Sequence, residues 1–500
     1  MELRHSTNLS EQQVQAGLKL VIKDGLATEA MTTLTGGAFL VSMALLMGAS
    51  NFQIGVLAAL PTFTNIFQLL SIWLVRKYRS RRAIAVICAM LARFPLLLIG
   101  TLPLLFSSST TIQALIFFLF FFYFFGSVAG PTWNAWMKDL VPEKMLGAYF
   151  SRRSRLTQTL NVVMSLVVAI TIDFVKRNYP SAELITYACM FIAGGVIGLC
   201  SAYFLSRTPE PPSGLTNGNI LRLFRKPLQD PNFRNLLVFN SAWVFAINMA
   251  TPFFFVYMMK TIGLPLSYVI GLGILSQLSS ILSLKLWGGY ADNYSNKTII
   301  AIGAPLYIVC IVGWCFVGQS ENFSANIILL SVINIITGFA TAGINLSLTN
   351  IGLKLAPKQD AIVYLSAKNI VTALFSSIAP VFGGWLADIL ANSQFNWTLK
   401  LKTAEGLKEL HVIALGQWNF LFLIGALLAL FSIKLLKRVQ ETGEVEKTLV
   451  VKVLRSDLRN SLTENFVVSY LINWPVTVSA RIKKLSTSSD KSKAEETKRA

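Results

Sequence analysis

The stretch "LVPEKMLGAYFSRRS", residues 140–154, returns in altered form as "LAPKQDAIVYLSAKN", residues 355–369. Four residues coincide when the two stretches are aligned without a gap, and each pair is 215 positions apart by subtraction of the residue numbers. They are Leu140, Pro142, Tyr149 and Ser151 with Leu355, Pro357, Tyr364 and Ser366. Asp173 of "TIDF" meets Asp388 of "LADI" at the same offset. Matches that keep their order over a long part of the chain predict a duplicated unit.

The composition is typical of a protein that crosses a membrane many times. Of 500 residues, 54% are apolar and only 14% are charged, a balance too apolar for a soluble enzyme. The net charge of +20 could indicate a nucleic-acid partner, but the basic residues lie in short clusters between apolar runs and in a basic tail. Such clusters are attracted to anionic lipid headgroups. We therefore expect membrane lipids, and no nucleic acid, as partners.

Apolar runs of about 20 residues, long enough to cross a bilayer as a helix, recur twelve times along the chain. The short alternating segments that a membrane barrel needs are absent from the sequence. The predicted spans are 25–48, 52–75, 83–106, 111–138, 153–175, 185–206, 235–259, 266–290, 298–318, 325–352, 362–390 and 416–437. With the repeat, they predict an all-α integral membrane protein whose twelve transmembrane helices form two pseudo-symmetric six-helix bundles. Parallel repeats of this kind are one known transporter plan, with the substrate site near the midplane between the halves.

The connections between the spans differ in charge. The second, fourth, sixth, eighth and tenth connections hold about 19 Lys and Arg, against about 6 in the others. Because basic loops stay on the cytoplasmic side, this bias predicts that both termini are cytoplasmic. The expected location is the plasma membrane, which is the inner membrane of a bacterium.

Changes in composition divide the chain into five parts. They are a cytoplasmic N-terminal segment 1–24, a first bundle 25–206, a cytoplasmic linker 207–234, a second bundle 235–438 and a cytoplasmic basic tail 439–500. The linker is rich in Pro, Gly and Arg, which is typical of a domain boundary. In the tail, Leu454, Leu458 and Leu462 recur every four residues, which fits a short helix on the membrane surface. A weakly structured tail is an equally good interpretation.

The ten residues 288–297, "GGYADNYSNK", follow an apolar run and predict a joint between two helices. Gly288 and Gly289 lack a Cβ and would allow a second backbone to come close. Asp292 can accept hydrogen bonds from the start of a neighbouring helix or pair with Lys297. These four residues are the predicted gating group.

This stretch resembles the signature between helices 8 and 9 of the major facilitator superfamily, and the resemblance covers about residues 20–438. Helix 7, "DPNFRNLLVFNSAWVFAINMATPFF", is also similar to bacterial permeases of that superfamily. The resemblance implies that the loop locks the cytoplasmic side of one half and that its acid bonds a neighbouring helix end. In the first half, aligned on Tyr78 and Tyr294, Ile72 and Arg76 stand where the signature has Gly and Asp. That joint therefore lacks its acid.

Two ionisable side chains fall inside predicted spans, where burial is costly and a functional role is the default hypothesis. Arg93 lies about ten residues into the third span, and Glu29 lies in the cytoplasmic third of the first. A Glu29–Arg93 pair would lower the burial cost of both. Such a pair either responds to protons or substrate, or is a structural clasp within the first bundle. Asp173 and Asp388 end the fifth and eleventh spans on the outer side, where we expect matched roles as an external latch.

Six polar or aromatic side chains at mid-depth are the substrate-binding candidates, because helices 1, 4, 7 and 10 line the cavity of the resembled fold with help from 2, 5, 8 and 11. They are Thr33, Asn65, Tyr123, Asn248, Gln277 and Thr337. Each could instead bridge two helices, which polar side chains do for about 0.6 kcal/mol in membranes. None of the six is charged, and Glu29 is expected to neutralise Arg93. We therefore expect a neutral or zwitterionic solute.

These features predict a secondary active transporter that moves a small organic solute by alternating access. The alternative is a non-transporting membrane receptor or assembly protein of the same fold. His5 and His411 lie outside the predicted spans, and the sequence shows no nucleophile–base pair or metal-ligand cluster. We therefore expect neither an enzyme nor a bound cofactor or metal. We also expect a monomer, and a coupled proton is an option that the residues leave open.

Overall fold

In the part of the chain that the structure describes, twelve helical segments are long and apolar enough to cross a membrane. The structure is a computed structural model that describes residues 10–105, 108–142, 145–211, 225–293, 295–320, 322–357, 361–403 and 406–441. We number the membrane spans 1 to 12 in chain order. Their helices are Glu11–Thr35 and Gly37–Leu46 (span 1), Asn51–Thr64 and Gln68–Tyr78 (span 2), Arg81–Leu105 (span 3), Ser108–Leu140 (span 4), Leu146–Asn178 (span 5), Glu183–Arg207 (span 6), Pro231–Val256 (span 7), Leu266–Asn293 (span 8), Asn296–Gly313 (span 9), Phe323–Leu355 (span 10), Ala361–Ile389 (span 11) and Gln417–Leu436 (span 12). The predicted all-α membrane fold with two six-helix bundles is confirmed.

A β-hairpin that the sequence did not predict connects spans 11 and 12. Its strands, Phe395–Thr403 (β1) and Gly406–Leu415 (β2), pair antiparallel. The register runs from Phe395 opposite Leu415 to Thr403 opposite Gly406, with an irregularity after Trp397. The hairpin lies in a connection between two spans, so it adds to the helical architecture without changing it.

Span 1 begins at Glu11, well before the start that the apolar run predicted. Ser10 caps this helix: its hydroxyl accepts from the Gln13 N–H at 3.3 Å, and the Gln13 side chain accepts from the Ser10 N–H at 3.0 Å. The added turns bury Leu18 in the first bundle. Most of the segment 1–24, predicted to precede the bundle, is therefore helix that packs within it.

The internal repeat is visible in matched contacts. Tyr149 donates its hydroxyl hydrogen to the Leu18 carbonyl at 2.8 Å. The Tyr364 ring packs edge-on against Phe233, with 4.7 Å between the ring centroids. Each pair joins the fifth span of a half to its first span, and the two pairs are 215 positions apart. The duplicated sequence therefore corresponds to duplicated packing.

The ends of the spans define two faces of the molecule. The termini face carries residue 10, the ends where spans 2 and 3, 4 and 5, 6 and 7, 8 and 9, and 10 and 11 are connected, and residue 441. The opposite face carries the ends where spans 1 and 2, 3 and 4, 5 and 6, 7 and 8, 9 and 10, and 11 and 12 are connected. We call spans 1–6 the first half and spans 7–12 the second half.

The two halves touch mainly near the opposite face. The first helix of span 2 packs along span 11, and span 5 packs against span 8. A Cβ added at Gly55 would lie 2.2 Å from the Pro380 carbonyl oxygen, and one at Gly384 would lie 2.3 Å from the Asn51 carbonyl oxygen. Only glycine permits this approach. The second helix of span 2 packs mainly against spans 3 and 4 of its own half, so the halves separate toward the termini face.

Parts of several predictions lie outside the described residues. They are residues 1–9 with His5, linker residues 212–224, tail residues 442–500 and the side chains of Ile72, Arg76 and Asp292. The backbone of Asp292 belongs to the last turn of span 8.

Candidate functional site

A cavity of about 600 Å³ lies within the first half. It extends from Tyr123, near the middle of span 4, to Arg153 and Leu205, close to the termini face. Three of its lining side chains are charged, namely Asp24, Arg93 and Arg153. Ligand pockets usually measure about 300–1,000 Å³, so this cavity is large enough for a small organic molecule.

Asp24, Ser201 and Arg93 form a buried hydrogen-bonded row at the cavity wall. Ser201 donates to Asp24 Oδ1 at 2.6 Å and accepts from Arg93 Nη2 at 3.1 Å. The Thr28 hydroxyl lies 2.8 Å from Ser201 Oγ and donates to it, because the hydrogen of Ser201 is already used. The stem of Arg93 fits beside Gly198, where an added Cβ would lie 2.9 Å from Arg93 Cγ. The row ties spans 1, 3 and 6 together and holds Arg93 at the cavity.

This row stands in place of the predicted Glu29–Arg93 pair. Among the described residues, no ion pair within 4.0 Å includes Glu29, which is half-buried. Asp24 and Glu29 are five residues apart, which is about 140° around a helix, so the two carboxylates leave different sides of span 1. Sequence reasoning missed Asp24 because it precedes the apolar run.

Arg153 is a second cation at the cavity, and the sequence had placed it at the border between a loop and a span. Span 5 begins at Leu146, so Arg153 lies about two turns inside the helix. Its guanidinium carbon lies 4.9 Å from the centre of the Trp133 ring. Its guanidinium also packs against Gly25, where an added Cβ would lie 2.6 Å from Arg153 Nε. The Nε atoms of Arg153 and Arg93 are both buried without a hydrogen-bond partner.

Two of the six substrate-binding candidates, Asn65 and Tyr123, line the first-half cavity. Thr33 is buried and accepts a hydrogen bond from Asn161 Nδ2 at 2.9 Å, so it bridges spans 1 and 5. The other three candidates belong to the second half, outside the lining of this cavity, and they are Asn248, Gln277 and Thr337. Asn248 donates to a carbonyl of its own helix at 2.9 Å.

On the opposite face, one carboxylate from each half accepts hydrogen bonds from the start of a helix in the other half. Asp173 of span 5 accepts from the first two N–H groups of span 8, at 2.9 and 2.8 Å. Asp388 of span 11 accepts from the N–H groups of Asn51 at 3.3 Å and Phe52 at 2.9 Å, and from the Asn51 side chain at 2.8 Å. Helix starts favour carboxylates because their N–H groups lack partners and carry positive partial charge. We call these contacts the cross-half clasps.

On the termini face, a carboxylate accepts hydrogen bonds at a helix start within its own half. In the first half, Glu210 accepts from the Ser80 hydroxyl at 3.1 Å and from the Arg81 N–H at 2.7 Å. The Arg81 guanidinium pairs with Glu210 at 3.5 Å and also with Asp139 at the end of span 4. The chain that leaves span 6 is thereby fixed to the start of span 3.

The second half has an equivalent contact around Glu441. Glu441 accepts from the Ser295 hydroxyl, the Asn296 side chain and the Lys297 N–H, each at 2.8 Å, and the Lys354 ammonium lies 3.1 Å away. Burial alone would raise the pKa of Glu441, but hydrogen bonds from these four residues outweigh burial and lower its pKa. We call this contact and that of Glu210 the within-half clasps.

The predicted gating group at 288–297 is described only in part, because the side chain of Asp292 lies outside the described residues. Among the described side chains, Glu441 accepts hydrogen bonds at the start of span 9, which begins within this stretch. An added Cβ at Gly288 or Gly289 would meet no atom within 4 Å, so neither glycine lies against another backbone here.

Two six-span halves that are joined at one face and separate toward the other are the architecture of a multi-pass membrane transporter. The model of the Major Facilitator Superfamily matches residues 26–380, and the chain belongs to this superfamily. No curated protein sequence matches the chain.

Solved structures of low sequence identity share the fold. A mutant of the nucleoside transporter NupG has a TM-score of 0.63 at 12% identity, over 86% of this chain and 100% of that chain. The inward-open xylose transporter XylE from E. coli has a TM-score of 0.57 at 16% identity, over 88% and 98%. A bacterial homologue of the human lysosomal transporter Spinster, inward-facing and unoccupied, has a TM-score of 0.54 at 17% identity, over 77% and 84%.

Proposed function

We propose that the protein is a secondary active transporter that moves a small organic solute by alternating access. The observation that carries this proposal is the difference between the two faces. The halves are joined by two clasps at the opposite face, while they separate toward the termini face, to which the cavity extends. A one-sided opening between two repeats is what alternating access requires of each end state.

We propose further that the termini face is cytoplasmic in the plasma membrane, because the connections on that face hold most of the Lys and Arg. With this orientation the structure is an inward-facing state. Both halves belong to one chain, which supports a monomeric transporter. A reporter fused after residue 215 tests the orientation, and a periplasmic signal from it would overturn this part of the proposal.

The change to the outward-facing state would break the cross-half clasps and bring the termini face together. Gly288 and Gly289 have free space beside them in the present state, so a second backbone can approach there in the other. A coupled proton would bind at Asp24, which is the one carboxyl group among the described residues that line the cavity.

Solute flux into proteoliposomes tests the proposed activity. Metabolites are first screened by thermal shift, because a ligand that binds the folded state raises its Tm. A solute found in this way should enter vesicles that contain the protein faster than it enters empty vesicles. The alternative function, a non-transporting receptor or assembly protein, predicts binding without flux.

An engineered disulfide across the opposite face distinguishes flux by alternating access from passive leakage. The Phe52 N–H and the Asp388 carboxylate lie 2.9 Å apart, so cysteines at these two positions can be oxidised to hold that face closed. In a chain whose five native cysteines are replaced by serine, oxidation should stop flux and reduction should restore it. Each single-cysteine variant is the control. Flux that continues through the cross-linked protein would contradict alternating access.

A further inference from the structure

The charges that line the first-half cavity do not balance. Among the described lining residues, Asp24 is the one carboxylate, against the guanidinium groups of Arg93 and Arg153. No ion pair within 4.0 Å joins Asp24 to either arginine in the part of the chain that the structure describes. The cavity wall therefore carries an excess of one positive charge.

Two other described acids near this end of the first half, Asp139 and Glu210, have a cation of their own. Both pair with Arg81, which does not line the cavity. Glu29, expected to neutralise Arg93, makes no such contact among the described ion pairs. The expectation of a neutral or zwitterionic solute depended on that contact, so the structure removes its basis.

Each arginine also has a donor that no protein group uses. Arg93 is only 8% exposed, yet its Nε has no hydrogen-bond partner. The Nε of Arg153 is likewise buried without a hydrogen-bond partner. A buried donor without an acceptor is unfavourable, and a buried charge without a counter-charge is more so. A structural clasp of spans 1, 3 and 6 requires Arg93 but not Arg153, because Asp24, Ser201 and Arg93 form the complete hydrogen-bonded row.

An oxyanion is the chemical group that both arginines would accept. Guanidinium groups present paired N–H donors that match the oxygen atoms of a carboxylate or a phosphate. The Trp133 ring, which stacks on Arg153, and Tyr123 offer flat apolar surface for the rest of a solute. The cavity volume of about 600 Å³ leaves room for a small organic acid or phosphate ester.

We propose that the transported solute is an organic anion whose carboxylate or phosphate group binds in this cavity to Arg153 and Arg93. The Asp24–Ser201 row holds Arg93 in position for this contact. The inference rests on the proposed transport function, and it names the substrate class of that same site.

Anion binding to the purified full-length protein tests the inference at constant ionic strength. The probes are inorganic phosphate, acetate and uncharged acetamide, and the readout is the Tm as a function of probe concentration. We expect a saturable rise with phosphate or acetate and none with acetamide, and the better anion tells phosphate from carboxylate. Arg153→Gln should weaken this binding about tenfold or more, because it removes a charge-assisted contact. Arg153 makes no hydrogen bond in the described structure, so the variant leaves the packing row intact.

Lys368→Gln is the matched control. Lys368 is the repeat partner of Arg153, 215 positions later, and is 9% exposed. It donates to the Leu348 carbonyl and does not line the cavity. The substitution removes one buried cation from the other half, and anion binding should survive it.

The outcomes are separable. A flat titration with both anions, or equal affinities in the wild type and in Arg153→Gln, would overturn the inference. Equal loss in Lys368→Gln would overturn it too, because a general charge effect would then explain the binding. Anion binding without flux of any solute would keep the site and refute transport. Flux of a neutral solute by a protein that binds neither anion would do the reverse.

Discussion

Both faces of the molecule are held by carboxylates at helix starts, but the contacts join different halves on one face and parts of the same half on the other. On each face, a carboxylate accepts N–H groups at the start of a helix, where they lack partners. On the opposite face the acid and the helix belong to different halves, as with Asp388 and Phe52. On the termini face they belong to the same half, as with Glu210 and Arg81. Motion of one half against the other must break the first kind of contact and can leave the second intact.

The largest effect is expected where a within-half clasp loses its cation. The Arg81 side chain is 5% exposed and pairs with Glu210, which is 2% exposed. Arg81→Met breaks a buried ion pair by removing the cation, which costs about 3–5 kcal/mol. We expect a marked fall in Tm of the purified protein. Arg79→Met, which removes an exposed cation two positions earlier, is the control and should leave Tm near the wild-type value. Equal Tm values for the two variants would show that the clasp adds no stability.

A cross-half clasp should instead control the balance between states. Asp388→Ala removes three hydrogen bonds, and we expect it to weaken closure of the opposite face by about 1.5–3 kcal/mol. Spin labels at Tyr179 and Phe323, exposed positions in different halves on that face, should then report longer distances in a larger fraction of molecules. Asp173→Ala, which removes two bonds, should act in the same direction with a smaller change. Unchanged distances in both variants would mean that the clasps do not hold this face.

Acid should weaken the second within-half clasp. The hydrogen bonds to Glu441 outweigh burial and make its pKa lower in the folded protein than its usual value. Such a group contributes stability above the unfolded pKa, about 4.3 for Glu, and loses it as the pH falls through the folded pKa. The protection of the Asn296 and Lys297 amides, measured relative to the intrinsic exchange rate at each pH, should therefore fall below about pH 4.

Glu441→Gln provides the comparison for this pH dependence. It keeps an acceptor but removes the charge, so we expect a loss of about 1 kcal/mol at neutral pH. Protection of the same two amides should then be lower and insensitive to acid. An acid response of equal size in both proteins would assign it to another group.

The sequence predicted those features that depend on neighbours along the chain. Runs of apolar residues set the number of spans, because each must cover the thickness of a bilayer. The offset of 215 matched Asp173 with Asp388 before their partners were known. It also matched Arg153 with Lys368, a signal that could have marked Arg153 as more than a loop residue.

Contacts that depend on where helices end were not predictable in this way. Asp24 lies in turns of span 1 that extend beyond the apolar run, so hydropathy placed it outside the bundle. Glu210 and Glu441 are 231 positions apart rather than 215, and the hairpin of β1 and β2 lies within the added length. The repeat offset therefore did not reveal that they are equivalent. Glu441 reaches a helix that begins 145 positions earlier, at Asn296, and no local pattern reports such a contact.

The smallest effect on stability is expected at the glycine beside the open face. A Cβ at Gly288 meets no atom within 4 Å, and alanine favours a helix over glycine by about 1 kcal/mol. Gly288→Ala should therefore leave Tm unchanged or slightly raised. If a second backbone approaches this glycine when the termini face closes, the added methyl group should still slow flux in proteoliposomes. Gly384→Ala is the contrast, because its Cβ would lie 2.3 Å from the Asn51 carbonyl oxygen in the present state, so it should open the closed face directly. Normal flux in Gly288→Ala would mean that the termini face closes elsewhere, and Gly288 would then have no part in the gate.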